Sequence, residues 1–261
     1  MNLHEVYAAL APLVLAGGDP KGAARRLFPS APDCDDAERL AAYASCAAGK
    51  RAAFFTSFFP LTRSAVVRAH GEVEWTRLCL NYVRAHPATQ PMVVRDMMQF
   101  PAYLADRVAR VVDEAPPAGD PGDGGAEPVA ATERAILPAW LAELADFELV
   151  AHVVRLDAAE DEADGPRGAL AFAPTLELRD YAFDLVTWVN GRAELPAGEP
   201  GAKRTLVAFW RSREGKARRL ALGRTHLEVL RAIRRGNVAP ERDASVEAML
   251  ACGILVVAKG A

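Results

Sequence analysis

Few side chains in this sequence have the types and spacing that catalysis or metal binding requires. Glu148 and His152 lie four residues apart in a segment with helical periodicity, so a carboxylate and an imidazole share one helix face. A di-iron site in a helical bundle instead requires Glu-x-x-His pairs on two helices together with further carboxylates. A metal-dependent helical enzyme is therefore kept only as a third hypothesis, behind the two developed below.

Motifs of the common enzyme classes are absent from the sequence. It contains no GxSxG, HExxH, GxxxxGK[ST] or helix-opening GxGxxG motif, and no kinase signature. His226, on a basic segment, is assigned no catalytic role. Four cysteines occur without a CxxC pair or clustered histidines, and each is expected to be a small buried hydrophobic residue: Cys34, Cys46, Cys79 and Cys252. We therefore expect a protein that is not an enzyme and has no catalytic residues, no bound metal and no cofactor.

Positive charge is concentrated near one end of the chain. Residues 203–242 contain twelve Lys or Arg against three acids, a local charge of +9, so the remainder carries −12 although the net charge is −3. A basic surface of this kind attracts an acidic peptide, an acidic protein face or nucleic acid. Charge alone does not choose among them.

The first half of the chain has helical periodicity throughout. An amphipathic helix is predicted over residues 3–15, and a second from an N-cap at Asp35 or Asp36 to a stop at Gly49. Pro101 is predicted to begin a later helix at its first turn. Another helix has one apolar face, which consists of Trp75, Leu78, Cys79, Tyr82 and Val83.

Two acidic segments divide the chain. Residues 113–131 are rich in Pro, Gly and acid and are predicted to form a flexible loop, after which a long apolar helix completes an N-terminal bundle. The segment 158–168 is predicted to be an acidic linker. The expected fold class is α+β, with an all-helical domain over 1–157 and a smaller domain over 169–261.

The smaller domain is expected to resemble a winged helix. Segments LELRDYAFDLVTWV and TLVAFWR are predicted to be strands, and Gly215 is placed in the turn of a hairpin that ends in ARRLAL. Helices are predicted over 225–235 and between Asp243 and Gly253, followed by a short strand in GILVVAKG. The order strand, strand, helix, helix, strand is of winged-helix type.

Length and hydropathy indicate a soluble protein. At 261 residues and 51% hydrophobic content, the chain is long enough for two domains with cores. No stretch approaches the roughly 18 uninterrupted apolar residues of a membrane span. The N-terminus carries an acid where a signal peptide carries positive charge. A cytoplasmic location without membrane association is expected.

Three segments together resemble a known family. They are FFTSFFPLTRSAVVRAHGEVEWTRLCLNYVRAHPA, ILPAWLAELADFELVAHVVRLDA, and FAPTLELRDYAFDLVTW followed by TLVAFWRSREGKARRLAL. In this order they are similar to the HvfC/BufC family. Its members are partners of multinuclear non-haem iron oxidases that modify cysteines in ribosomally made, often copper-binding peptides such as bufferins and methanobactins.

The resemblance implies a division of labour between two domains. The helical domain would contact the oxidase in a heteromeric complex, and the C-terminal domain would be similar to winged-helix elements that recognise precursor peptides. The chain would bind the leader of the precursor and present its cysteine-containing core to the oxidase. Such a function needs no catalytic side chains.

The leader is expected to add as a strand along an open edge of the hairpin at 205–222, through main-chain hydrogen bonds. Val207 and Phe209 would present one apolar face, and nearby arginines would favour acidic leader residues. A second possibility stays open, in which the apolar residues are core and the arginines are solvated surface. The predicted peptide-binding residues are Leu206, Val207, Phe209, Trp210, Arg218, Arg219, Arg231, Arg234 and Arg235.

The main alternative is a winged-helix transcription regulator. The same element order and the basic stretch could place the helix at 225–235 in a DNA major groove. DNA binding would weaken steeply with salt through counterion release, whereas strand addition would weaken modestly.

Overall fold

Helices dominate the first part of the chain and a small antiparallel sheet lies in the second, so the fold is α+β, as the sequence predicts. The residues divide into two compact units, 1–142 and 143–261. This computed structural model describes residues 3–16, 19–27, 34–86, 93–113, 137–157, 166, 168–190, 194–236 and 244–258. Among them, no helix combines the length and hydropathy that crossing a membrane requires.

The first unit is helical in its described part. Its helices are α1 (Leu3–Ala16), α2 (Pro20–Leu27), α3 (Cys34–Phe58), α4 (Pro60–His70), α5 (Glu72–Ala85), α6 (Val93–Met97) and α7 (Phe100–Asp113). The five apolar residues expected to form one face of α5 are all buried. Pro101 lies in the first turn of α7, as predicted. The predicted acidic loop at 113–131 lies outside the described residues, except for its first residue.

Packed aromatic rings form the centre of this unit. The ring of Phe100 lies 4.6 Å from that of Phe55, 4.9 Å from that of Phe59 and 6.1 Å from that of Trp75, measured between centroids. Tyr82 packs edge-on against both Phe55 and Phe100. Tilted and edge-to-face contacts of this kind stabilise beyond the area that they bury. They join α3, α5 and α7.

The predicted helix stop at Gly49 is wrong, because α3 continues to Phe58. A helical glycine costs only about 1 kcal/mol relative to alanine. That cost is outweighed by contacts made further along the helix, where Phe55 is fully buried and Arg51 binds Asp96. Tertiary packing therefore overrides the local signal.

The second unit contains a three-stranded antiparallel sheet in the order β2-β3-β4, and a separate ladder of β1 with β5. Gly215 lies in the β3–β4 turn with a φ of +74°, as the predicted hairpin requires. The elements are α8 (Trp140–Leu156), β1 (Leu170–Phe172), β2 (Glu177–Tyr181), α9 (Leu185–Val189), β3 (Thr205–Arg211), β4 (Ala217–Ala221), α10 (Arg224–Arg234), α11 (Ala244–Cys252) and β5 (Leu255–Val257).

One face of the three-stranded sheet is covered by α8. The ring of Phe147 lies 5.3 Å from that of Phe209 and 5.9 Å from that of Tyr181. The Tyr181 hydroxyl donates to the Asp146 carboxylate at 2.8 Å, and Glu143 accepts the main-chain N–H of Ala182. We call this the α8 face.

The opposite face is covered by α10, α11 and the β1–β5 ladder, and we call it the α11 face. Its buried core residues are Ala173, Ala208, Trp210, Val229, Leu230, Val246, Met249, Ile254 and Leu255. Leu220 of β4 and Leu222, which follows the strand, pack against this core while remaining partly exposed. Helices therefore cover both faces of the sheet.

Two sequence expectations differ from this arrangement. Residues 185–189, predicted as strand, form the helix α9, because the Asp184 side chain accepts the Thr187 N–H at its N-terminus. The helix α8, expected to complete the N-terminal bundle, belongs to the second unit from Glu143 onward. The division between units thus lies in the first turn of α8 rather than at 158–168, a segment mostly outside the described residues.

The cysteines also differ among themselves. Cys79 is buried, as predicted, and burial raises the pKa of its thiol. Cys46 and Cys252 are exposed, contrary to the prediction, because one lies on the outer side of α3 and the other at the C-terminal end of α11. The side chain of Cys34 lies outside the described part of the chain.

Candidate functional site

The strand β4 is an edge of its sheet. Among the described strands it pairs only with β3. None of its residues is buried, whereas four consecutive residues of β3 are. The short helix α9 also packs against β4. An edge strand carries main-chain donors and acceptors that another chain can pair with.

Two hydrogen bonds establish which main-chain groups of β4 point outward. The Leu222 N–H donates to the Leu206 carbonyl, and the Ser212 N–H donates to the Lys216 carbonyl, both at 2.8 Å. In an antiparallel ladder, alternate residues direct both of their main-chain groups to the same side. Even-numbered residues therefore pair with β3, and the outward-facing residues of β4 are Ala217, Arg219 and Ala221.

A cavity of about 680 Å³ lies between β4, the hairpin turn and the end of α11. Residues of these three elements and one residue of β3, Trp210, line the cavity. The others are Ser212, Arg213, Glu214, Arg218, Arg219, Leu220, Leu250, Ala251, Cys252 and Gly253. We call the outer edge of β4 together with this cavity the β4 site. Both parts belong to the second unit.

Part of the cavity lining is apolar and firmly held. The Trp210 side chain is nearly buried on the α11 face, and its indole Nε1 donates to the Cys252 carbonyl at 2.9 Å. Leu220 and Leu250 add aliphatic surface to the same lining and are only partly buried. A lining that combines apolar surface with a few polar or charged groups is typical of a ligand site.

The charged residues at the margin are mainly basic. Arg213 and Arg218 are exposed, and Glu214 is the one acid in the lining. The Ser212 hydroxyl donates a hydrogen bond to the Glu214 carboxylate at 2.7 Å. This hydrogen bond is the main cause of the lowered pKa of Glu214, and the charges of Arg218 and Lys216 lower it further. The margin therefore favours anionic groups beside Arg218.

Arg219 lies in the same strand but is directed differently. Its guanidinium carbon lies 4.8 Å from the centroid of the Phe147 ring, on the α8 face. Burial lowers the pKa of this guanidinium, and the Glu148 carboxylate opposes that effect. Arg219 therefore contributes its outward main-chain groups to the β4 site, while its charge is directed to α8.

The predicted apolar contact residues have different positions. Val207 and Phe209 are fully buried in the central strand, so their side chains form core, the possibility that the sequence left open. Leu206 is partly buried and lies on the α11 face. Trp210 is core as well, yet it lines the cavity.

The predicted arginines are divided between two places. Arg218 and Arg219 line the cavity, whereas Arg231, Arg234 and Arg235 are exposed on or just after α10 and do not line it. Sequence reasoning missed the other eight cavity residues, which are Ser212, Arg213, Glu214, Leu220, Leu250, Ala251, Cys252 and Gly253. The alternation of Arg218 and Leu220 in an edge strand was the available signal for two residues of the site.

The outer edge of β2 carries carboxylates that already have arginine partners. Asp180 lies in an outward position there and forms an ion pair with Arg204, whose hydrogen bonds lower the pKa of that carboxyl. Glu177, at the start of the strand, pairs with Arg179. An acidic strand is thus better matched to the β4 edge than to the β2 edge.

The remaining chemical candidates have local partners. Glu148 is buried, and the Nδ1 atom of His152 lies 3.1 Å from the guanidinium of Arg155. Within the described ranges, no group of three His, Cys, Asp or Glu side chains could hold a metal ion. His226 accepts the Gly223 N–H at the start of α10.

No protein-family model matches this chain, and no curated protein matches it. The geometry of the β4 site and the charges around it are therefore the observations that bear on function.

Proposed function

We propose that this chain is a non-catalytic partner protein that binds the leader of a ribosomally made precursor peptide. It would present the cysteine-containing core of that peptide, of a copper-binding type, to a multinuclear non-haem iron oxidase in the cytoplasm. The observation that carries the leader-binding part is the outward main chain of Ala217, Arg219 and Ala221 beside a cavity whose lining combines apolar side chains with arginines. The oxidase part rests on the family resemblance of the sequence.

Within this proposal the C-terminal region is a winged-helix-like recognition domain, and the N-terminal helices contact the oxidase. The hairpin β3–β4 followed by α10, α11 and β5 has the order expected of such a domain. Strand addition to β4 would extend the antiparallel sheet, and the cavity beside α11 would receive side chains of the added strand.

Hydrogen exchange of individual amides, followed by NMR, tests leader binding. The probe is a short cysteine-containing peptide encoded next to the gene for this chain, whose presence the proposal requires. Because the N–H groups of Arg218 and Leu220 already pair with β3, only the outward amides of Ala217, Arg219 and Ala221 should gain protection. Unchanged exchange at these three amides with saturating precursor would contradict the proposal.

Co-purification tests the oxidase part. The proposal requires a non-haem iron oxidase encoded next to this chain. Expressed together with the chain, that oxidase should be retained by it at micromolar concentration, and the isolated chain should leave the precursor unmodified. Retention should survive substitutions in the β4 site. An oxidase that modifies the precursor at full rate without this chain contradicts the role.

A DNA-binding regulator is the second candidate function, because α10 exposes a row of arginines. Arg224 forms an ion pair with Glu228 at 2.9 Å, while Arg231 and Arg234 lie further along the helix. The affinity of α10 for a DNA duplex would fall steeply as the salt concentration increases. Reversing Arg231 and Arg234 to Glu should abolish such binding and leave precursor binding intact.

A further inference from the structure

We propose that the β4 site selects an extended peptide, antiparallel to β4, with the pattern apolar–x–acidic. The apolar residue lies opposite Leu220, and the Asp or Glu lies opposite Arg218. This inference rests on the proposed leader binding and specifies the sequence that the site accepts.

The alternation of β4 determines which peptide side chains reach the cavity. In an antiparallel pair, residues directly opposite each other direct their side chains to the same face. Arg218 and Leu220 lie on the α11 face, where the cavity is, because they pair with Trp210 and Ala208 of its core. The two peptide residues opposite them therefore direct their side chains toward the cavity.

The chemistry of the two positions differs. The residue opposite Leu220 meets Leu220 itself and the apolar lining formed with Leu250, so an aliphatic side chain loses contact with water there. The residue opposite Arg218 meets an exposed guanidinium, which an acid complements. Glu214 disfavours a further acid toward the turn.

The middle residue of the pattern is not selected by charge. It lies opposite Arg219, with which it exchanges main-chain hydrogen bonds, and its side chain is on the α8 face. The guanidinium of Arg219 already lies over Phe147 in the field of Glu148. The acid is therefore recognised by Arg218 rather than by Arg219.

Strand direction converts these positions into a sequence order. In an antiparallel partner, the residue opposite Leu220 precedes the one opposite Arg218 by two positions. A parallel partner would reverse the order to acidic–x–apolar. Antiparallel pairing is the more stable of the two per residue, and both described ladders of this sheet are antiparallel.

Two synthetic peptides with the same composition and the same flanks test the pattern. The forward peptide is acetyl-Thr-Ser-Thr-Leu-Thr-Glu-Thr-Ser-Thr-amide, and the reversed peptide exchanges only Leu and Glu. Isothermal titration of the full chain should give an affinity about two- to fivefold higher for the forward peptide, which is the upper range for one exposed charge pair. Equal affinity, tighter binding of the reversed peptide, or no binding of either at millimolar concentration overturns the pattern.

Two matched variants test whether Arg218 causes the preference for the forward peptide. Arg218→Gln should remove most of the preference, whereas Arg231→Gln, which removes the same charge from an exposed position outside the cavity, should preserve it. If Arg231→Gln removes the preference equally, general charge rather than Arg218 is responsible, and the inference fails.

The outcome for the leader is separate from the outcome for the pattern. If the natural precursor protects the outward β4 amides while both synthetic peptides bind alike, leader binding stands and only the pattern fails. If the precursor leaves those amides unprotected, the proposed function itself fails.

Discussion

The indole Nε1 of Trp210 donates a hydrogen bond to the carbonyl of Cys252 at 2.9 Å, and this contact joins the central strand of the sheet to the end of α11. Gly253 follows with a φ of +84°, and a Cβ built there would lie 3.6 Å from the same nitrogen. The end of α11 and the indole therefore fit closely, and together they define one wall of the β4 site.

Replacing Trp210 by Phe should test this wall. The substitution removes the donor to Cys252 and reduces the volume of a nearly buried side chain. We expect the free energy of unfolding to fall by about 1–3 kcal/mol. Urea denaturation followed by circular dichroism measures it. An unchanged midpoint and slope would mean that α11 is held in place by its other contacts.

Removing the cation of a largely buried ion pair in the first unit should destabilise the protein more. Arg51 binds the Asp96 carboxylate and donates to the Val83 carbonyl, with only 11% and 9% of the two charged side chains exposed. Because Arg51→Met leaves a buried carboxylate without its cation, the free energy of unfolding should fall by about 3–5 kcal/mol. Chemical denaturation measures the change.

An exposed ion pair supplies the control. Arg63 lies 2.6 Å from Glu72, but 36% and 52% of these side chains are exposed. Arg63→Met should therefore cost less than about 1 kcal/mol. If the two variants lose equal free energy of unfolding, burial does not determine how much each ion pair stabilises the protein.

Much of the fold follows from local patterns in the sequence. The apolar spacing of α5 predicts its five buried residues, and Gly215 predicts the position of the hairpin turn. The helix α9 was missed because a short apolar run has no period long enough to separate strand from helix. For α8, the apolar spacing around Phe147 predicts that one face is buried. It does not predict whether that face packs against the helices or against the sheet.

The candidate site depends on tertiary facts that periodicity does not contain. Val207 and Phe209 are equally apolar whether β3 is an edge or a central strand, and only the pairing of β2 makes it central. The sequence does not distinguish Arg218 from Arg231 either, because both are arginines of the basic segment 203–242. Only the position of α11 beside the hairpin brings Arg218 to the cavity while Arg231 lies elsewhere.

The last prediction concerns two aspartates whose pKa values move in opposite directions. Burial raises the pKa of Asp146 above its ordinary value, although the Tyr181 hydroxyl and Arg179 both act to lower it. The folded state therefore binds the proton of this carboxyl more tightly than the unfolded state does. The stability that this carboxyl contributes is therefore present at low pH and is lost as pH rises through its folded pKa. Hydrogen bonds from Arg204 lower the pKa of Asp180, whose contribution is lost as pH falls.

Replacing each aspartate by Asn should therefore change the pH dependence of unfolding with opposite signs. Between about pH 3 and pH 7, Asp146→Asn should gain stability relative to the parent protein as pH rises, because it lacks the partly buried charge. Asp180→Asn should lose relative stability over the same range, by a smaller amount because solvent screens that exposed pair. Urea denaturation of all three proteins at several pH values measures both slopes. If the two variants change in the same direction, burial is not what governs the carboxyl of Asp146, and its contacts with Tyr181 and Arg179 dominate instead.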